Sequence, residues 1–362
     1  MRITLIGGAR PNFMKLAAII SAIESDPIAK DIIRYRLVHT GQHYDSKMSN
    51  TFFEELKIPA PAVNLDCRGG THAEQTAAIM IAFEKDLVVN PADLVVVVGD
   101  VNSTLACSIV AKKMGTKVAH VEAGIRSYDL SMPEEINRIV TDSICDYFFT
   151  TTHTASNNLL ALGVSKEKIF FVGNVMIDTL LANKARFFKP NFFDPFNLVP
   201  KGYLVMTLHR PSNVDEPGRL ASILLEVATS CKSVPIIFPI HPRTKKALEA
   251  SGFNDPGVLV VDSQGYLQFN YLVSHSAGVI TDSGGVTEET TVLNIPCITI
   301  RNSTERPETV ELGTNVLIGD NIKKIGPYID LLLSGNWKAG EIPPLWDGKS
   351  SGRIVDHLLD IV

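Results

Sequence analysis

Short β-branched runs alternate with amphipathic segments along nearly all of this chain, and the alternation breaks only once. That pattern is the signature of βαβ units on a parallel sheet. In the first half the expected strands are Arg2–Ile6, Tyr35–His39, Leu94–Val98, Lys117–Val121, Tyr147–Thr151 and Ile169–Val172. Several are apolar on both faces, as strands covered by helices on either side should be. The break is Phe187 to Gly202, FFKPNFFDPFNLVPKG, with three prolines and no regular period. It reads as a linker. The pattern then restarts at Tyr203–Leu208 and runs through Val234–Pro239, Val258–Val261, Ala277–Thr281, Pro296–Ile300 and Asn315–Ile318.

A chain of 362 residues is too long for one ordinary domain, and its 45% hydrophobic content suffices for two cores. The expected organisation is an N-terminal Rossmann-like domain over 1–186, a linker over 187–202 and a C-terminal Rossmann-like domain over 203–349. A final helix, 350–362, can pack back on the N-terminal domain. Two doubly wound halves joined by a linker imply facing domains with a cleft between them. Ligands of open α/β sheets gather at the carboxyl ends of the strands.

Bulk properties exclude several function classes. A formal charge of −5 gives no basic face for nucleic acid. No apolar stretch is long enough for a membrane span, and the first residues read as a strand, not a signal peptide. The five cysteines (Cys67, Cys107, Cys145, Cys231, Cys297) lack CxxC spacing, which fits reduced thiols in a cytoplasmic protein. No His or Cys pair has metal-ligand spacing, so no metal is expected.

The strand ends carry the chemistry. After the first strand come Gly7-Gly8-Ala9-Arg10-Pro11 and then Lys15, cations beside a glycine turn that suit an anionic group. Gly99-Asp100 and Glu122 each follow a strand directly. Pro133-Glu134-Glu135 opens a helix, where either acid alone could serve only the macrodipole, worth about 0.3–1 kcal/mol. That does not explain three acids on one rim. In the second half, His209-Arg210 and His241-Pro242-Arg243 follow strands, and each pair could hold a diphosphate. Asp282-Ser283-Gly284-Gly285 ends another strand and feeds a helix with Glu288 and Glu289 in its first turns. Backbone N–H groups there suit phosphate, and the carboxylates suit the paired hydroxyls of a sugar. Arg301, Arg306 and Glu308 follow the next strand. The combination points to a nucleotide sugar, with the diphosphate held by the second half and acids presented by the first. Burying several carboxylates together would separate their pKa values into an acid and a base.

With these residues in place, the chain resembles the non-hydrolysing UDP-N-acetylglucosamine 2-epimerases over almost its whole length. The shared motifs are GARPNFMK, TGQH, GDVNST, HVEAGIRS, PEEINR, GNVMID, LHRPSNVD, HPRT, TDSGGVTEE and RNSTERPE. The resemblance implies a two-domain fold of the glycosyltransferase B type and interconversion of UDP-GlcNAc and UDP-ManNAc without a redox cofactor. It implies a homodimer serving cell-envelope polysaccharide synthesis, with a UDP-sugar as substrate. It assigns Asp100, Glu122 and Glu134 as catalytic acids and His209 as a functional histidine. Arg10 and Lys15 match basic active-site positions, and Ser283, Gly284, Gly285 and Glu289 match the UDP site, with Glu289 on the ribose hydroxyls. Arg210, His241 and Arg306 are further substrate-binding candidates. Gln42 matches part of a regulatory site in some members, whereas Asp45 stands where those members carry Gln. Many bacterial members read His-Arg-Arg-Glu where this chain has His209-Arg210-Pro211-Ser212.

Four rival readings are weighed; one, a non-catalytic nucleotide-sugar sensor, would tolerate loss of the acids, yet Asp100, Glu122 and Glu134 are all present. A 2-epimerase of a modified UDP-N-acetyl sugar and a hydrolysing enzyme releasing ManNAc and UDP would both share the acids. A transferase of the same fold would need an acceptor groove and membrane-associating patches, and none stands out.

Overall fold

The computed structural model of the chain describes residues 1–41, 53–216 and 218–361. Two compact units form, one from Met1–Ala182 with Pro344–Val362, the other from Asn183–Pro343.

In the first unit seven strands are joined by helices: β1 (Arg2–Gly7), α1 (Arg10–Ser25), α2 (Pro27–Ile32), β2 (Arg34–His39), β3 (Val63–Asn64), α3 (His72–Val89), β4 (Leu94–Val98), α4 (Asn102–Lys113), β5 (Lys117–Val121), α5 (Pro133–Ile144), β6 (Tyr147–Thr150), α6 (His153–Ala161), β7 (Ile169–Phe171) and α7 (Val175–Asn183). All pairings are parallel, in the order β3-β2-β1-β4-β5-β6-β7. The order reverses between β1 and β4, where Ile6 lies opposite Val97. Val95 and Val97 of β4 sit in one core with Ile79, Phe83 and Leu87 of α3 and Ala106 and Val110 of α4. The LVVVV run of β4 is wholly buried because helices cover both faces of the sheet.

α3 begins with a reciprocal cap: the Glu74 N–H donates to Thr71 Oγ1, and the Thr71 N–H donates to Glu74 Oε2. The last helix, α15 (Ser350–Asp360), belongs to this unit, and its Ser350 and Ser351 N–H groups donate to Asp178. Trp346 is buried just before it and donates to the Thr151 carbonyl.

The second unit runs β8 (Leu204–Thr207), α8 (Pro211–Val214), α9 (Arg219–Cys231), β9 (Ile236–Ile240), α10 (Pro242–Ser251), β10 (Val258–Asp262), α11 (Tyr266–His275), β11 (Gly278–Thr281), α12 (Gly284–Leu293), β12 (Cys297–Thr299), α13 (Pro307–Glu311), β13 (Asn315–Leu317) and α14 (Ile325–Leu333). Its parallel sheet has the order β10-β9-β8-β11-β12-β13. The period of two along each strand sends alternate side chains to opposite faces. Ile237, Val205, Val279 and Cys297 line up across the sheet on one face. They share a core with Leu272 and Val273 of α11 and with Phe193 and Leu198 of the proline-rich stretch. Met206, Phe238, Ile280 and Ile298 face the other way. Against them pack Leu220, Ile223, Leu224 and Val227 of α9, spaced as one helical stripe, and Ile325 and Ile329 of α14. Among the described residues no helix is long and apolar enough to cross a membrane.

In each unit the strand order reverses at its first strand. The carboxyl ends of β1 and β4, and of β8 and β11, are therefore the places where a doubly wound sheet offers a ligand crevice.

Candidate active site

At the first unit's switch point the chain turns sharply after β1. A Cβ on Gly8 would lie 2.1 Å from Ser103 Oγ, so only glycine lets this loop pass. Asn12 locks the loop in place: its Oδ1 accepts the Gly8 and Ala9 N–H groups, and its Nδ2 donates to the Val98 carbonyl at the end of β4. Arg10 opens α1 in an exposed position. One turn on, Lys15 is buried and donates to Glu122 Oε2 at 2.5 Å. Glu122 directly follows β5 with a φ of 69°, a left-handed conformation that costs a non-glycine residue energy and concentrates at functional sites. Gly99 lies between them: a Cβ there would sit 3.2 Å from Lys15 Nζ and 3.7 Å from Glu122 Oε2.

Asp100 follows Gly99, with its side chain about a third exposed, and accepts from Arg138 NH1 at 2.5 Å. Asn137 Nδ2 donates to the Asp100 carbonyl. Arg138 is itself held by Glu135, which accepts from its Nε and NH2 and from the Ser127 and Tyr128 N–H groups. Burial pushes the Glu135 carboxyl up, but the Ser127 N–H and Arg138 outweigh it and leave it below the ordinary carboxylate range. Glu134 shares the face of α5 that carries Asn137 and Arg138, because residues three and four apart are helical neighbours. It is half-buried, and its carboxylate has no hydrogen bond or ion pair among the described residues. The structure thus joins Lys15, Asp100 and Glu122 around Gly99 and puts Glu134 on the helix that braces Asp100. Gln42 lies outside the described residues.

The second unit's switch point is organised by Asp282, a fully buried carboxylate at the end of β11. It accepts the His209 and Arg210 N–H groups, Asn213 Nδ2 and, at 2.8 Å, His209 Nδ1. Burial raises its pKa, but His209 and the Arg210 N–H prevail and hold it below its ordinary value. Arg210 Nε donates to the Asp282 carbonyl. The His209 side chain remains 56% exposed, available to a ligand. His241 ends up exposed after β9.

Ser283 precedes α12, and Gly284 and Gly285 begin it. A Cβ on Gly284 would lie 2.6 Å from Glu305 Oε1, so the glycine admits a carboxylate to the helix N-terminus. Glu305 is paired with Arg301 at 2.5 Å. Burial opposes its ionisation, yet the charges of Arg301, Arg306 and Arg210 carry it down to about 2. Arg306 Nε pairs with buried Glu288, and Glu289 is buried beside it on α12. Among candidate UDP-contact residues, then, Arg210 and Arg306 both lie within electrostatic reach of one carboxylate.

The sequence reading passed over Arg138, His120 and Asp142, and it named Glu135, Asp282 and Glu305 only as members of strand-end motifs, without a site role. A weak signal existed for one pair, the three-residue spacing of Glu135 and Arg138 on a helix. The rest need tertiary structure to find.

The sequence profile of the UDP-N-acetylglucosamine 2-epimerase family matches residues 27–359. The chain belongs to that family. A UDP-N-acetylglucosamine 2-epimerase of Methanocaldococcus jannaschii is 44% identical, over 98% of each chain. A UDP-2,3-diacetamido-2,3-dideoxy-D-glucuronate 2-epimerase of Pseudomonas aeruginosa is 41% identical, over 88% of each chain. The crystal structure of the M. jannaschii UDP-GlcNAc 2-epimerase in complex with UDP-GlcNAc and UDP superimposes with a TM-score of 0.89 at 43% identity. That match covers 99% of this chain and 100% of the other. A lipopolysaccharide outer core galactosyltransferase matches with a TM-score of 0.56 at 14% identity over the whole of both chains, a likeness of fold alone. The fold is of the glycosyltransferase B type, with one seven-stranded and one six-stranded parallel sheet. The epimerase family and the transferase thus share an architecture, so fold alone does not separate their chemistries.

Proposed function

We propose that this chain is a UDP-N-acetylglucosamine 2-epimerase that works without hydrolysis, interconverting UDP-GlcNAc and UDP-ManNAc. The observation that carries the reading is the assembly of Asp100 and Glu122 at one switch point, each against a buried cation. A carboxylate fixed in place by a cation can take a proton from carbon.

The C2 hydrogen of the sugar is not flanked by a carbonyl, so its direct removal is very hard. Departure of UDP gives C1 oxocarbenium character and makes that hydrogen acidic. The C2–H electron pair then becomes the C1–C2 double bond, the C1–O bond to UDP breaks, and 2-acetamidoglucal results. Protonation of C2 on the opposite face and return of UDP to C1 give the epimer. Asp100, Glu122 and Glu134 carry these proton transfers. Ser283, Gly284, Gly285, Arg210 and Arg306 hold the diphosphate, with Arg10, Lys15, His209 and His241 as further polar contacts and Glu289 on the ribose. Cations at the diphosphate stabilise the leaving group where charge develops.

The reading includes a homodimer acting in the cytoplasm. Ile81 and Val88 of α3 and Ile136 of α5 are exposed apolar side chains that a second copy would cover. Sedimentation as a monomer at working concentration would remove that part.

A second substrate is favoured by one specific observation: a relative 41% identical acts on a UDP-2,3-diacetamido uronate. Proton NMR of UDP-GlcNAc with the protein in D2O tests the main reading. The expected result is loss of the C2 proton signal as UDP-ManNAc appears. Free ManNAc with UDP would mean hydrolysis, and an inert UDP-GlcNAc beside a reactive diacetamido sugar would move the substrate to the second class.

A further inference from the structure

We infer that Asp142 is a positioning residue for both acids of the first unit's site, holding the turn after Glu122 directly and the turn before Asp100 through His120. The inference rests on the proposed function for what the acids do, and on geometry for the rest. Asp142 lies on α5 with a fully buried side chain. Its Oδ2 accepts the Gly124 N–H at 3.0 Å and Arg126 NH1 at 2.6 Å. Its Oδ1 accepts from His120 Nδ1 at 2.7 Å. His120, on β5 and equally buried, donates from its other nitrogen, Nε2, to the Gly99 carbonyl at 2.8 Å. Gly99 is the residue before Asp100, and Gly124 comes two after Glu122.

The two turns need such bracing. Gly99, Glu122 and Gly124 all have positive φ, at 69°, 69° and 77°. A Cβ on Gly124 would meet the Ala155 carbonyl oxygen at 2.2 Å, so this turn is packed against α6 with no room to relax. The Glu122 and Ala123 N–H groups both donate to the Phe149 carbonyl, and the Gly99 N–H donates to the Val121 carbonyl. These backbone bonds hold one side of each turn, and Asp142 with His120 holds the other.

The donor inventory makes the relay specific. The Gly99 carbonyl can only accept, and so can an ionised carboxylate. The geometry therefore puts a proton on each nitrogen of His120. Asp142 is kept below its ordinary value: burial pushes it up, and the charges and hydrogen bonds of His120 and Arg126 outweigh that. The bland alternative is a buried ion cluster that stabilises the fold and leaves the acids indifferent. The two differ in what they do to turnover, because misplacing a reacting group by about 1 Å costs about 100-fold.

The test uses the full chain. Asp142→Asn keeps the shape and removes the charge. The expected result is a kcat lower by about 100-fold or more, with KM and UDP affinity held within about threefold. A folded variant with near wild-type kcat, or one losing kcat and UDP affinity together, overturns the inference. Should that variant not fold, the wild type decides. With ¹⁵N-labelled histidine at neutral pH, both His120 ring nitrogens should be protonated, with a strongly downfield Nδ1 proton. A bare ring nitrogen overturns the relay. The NMR signature is independent of turnover, so a chain inactive on UDP-GlcNAc would refute the proposed function and leave the relay to be read on its own.

Discussion

At the first unit's switch point each acid meets a cation: Glu122 faces Lys15, and Asp100 faces Arg138. At the second unit's switch point the arginines meet acids: Arg301 faces Glu305, and Arg306 faces Glu288. The strand order and the place of the site in it are shared, while the roles of charge are exchanged. In the first unit a cation holds a carboxylate in place, which under the proposed reading suits a group that takes and returns a proton. In the second, carboxylates neutralise arginines gathered at a helix N-terminus. Under the proposed reading an incoming diphosphate there exchanges partners with Glu305 and does not meet bare cations. Each unit also has one fully buried aspartate bracing its loops, Asp142 in the first and Asp282 in the second. Under the proposed reading, one kind of sheet serves proton transfer in the first unit and anion capture in the second.

Four substitutions probe that contrast, in descending order of effect. Glu122→Gln removes a proton acceptor, and kcat should fall by about 10²–10⁴-fold. Steady-state assays would show it, and a variant retaining most of its turnover would take Glu122 out of the chemistry. Asp282→Asn takes the charge from a buried carboxylate with four donors. Unfolding in denaturant should reveal a loss of about 3–5 kcal/mol. UDP binding should weaken with it, because His209 and Arg210 lose their anchor. Unchanged stability would mean the loop is held by other contacts.

Glu308, on α13 and 8% exposed, is pushed up to about 7, first by burial and then by Glu288 and Glu311, with Arg306 opposing. The folded protein therefore holds a proton that the unfolded chain has released, between about pH 4.5 and 7. Stability from this group falls as pH rises through that window. Glu308→Gln should add up to about 3 kcal/mol at about pH 8 and little at about pH 5. Equal changes at both pH values would contradict the sign. Last, Thr71→Ala removes the cap of α3 and should cost about 1 kcal/mol. Thermal unfolding would register it, and kcat should not move.

Much of the fold was legible in the chain. The twelve runs expected as strands on β-branched periodicity all became strands, with ends shifted by a residue or two. Val63–Asn64 escaped because two residues carry no period. α14 escaped because Pro327 reads as a break, yet it falls in the helix's first turn, where a missing N–H costs nothing. α2 has six residues and announces itself only through the Asp26 cap. At the site, Asp100, Glu122 and Lys15 were visible because strand ends are visible. Their partners were not. Arg138 is 38 residues from Asp100, and Lys15 is 107 from Glu122. Asp142 looks from sequence like any polar residue near a helix end, and its burial follows from how α5 packs beside α4 and meets His120 of β5.

If the units divide the labour as proposed, one titration shows it. UDP is titrated calorimetrically into the double variant Asp100→Asn, Glu122→Gln and into the wild type. Both proteins should bind UDP with equal affinity, with turnover of UDP-GlcNAc undetectable in the variant. A large loss of UDP affinity on removing the first unit's acids would contradict it.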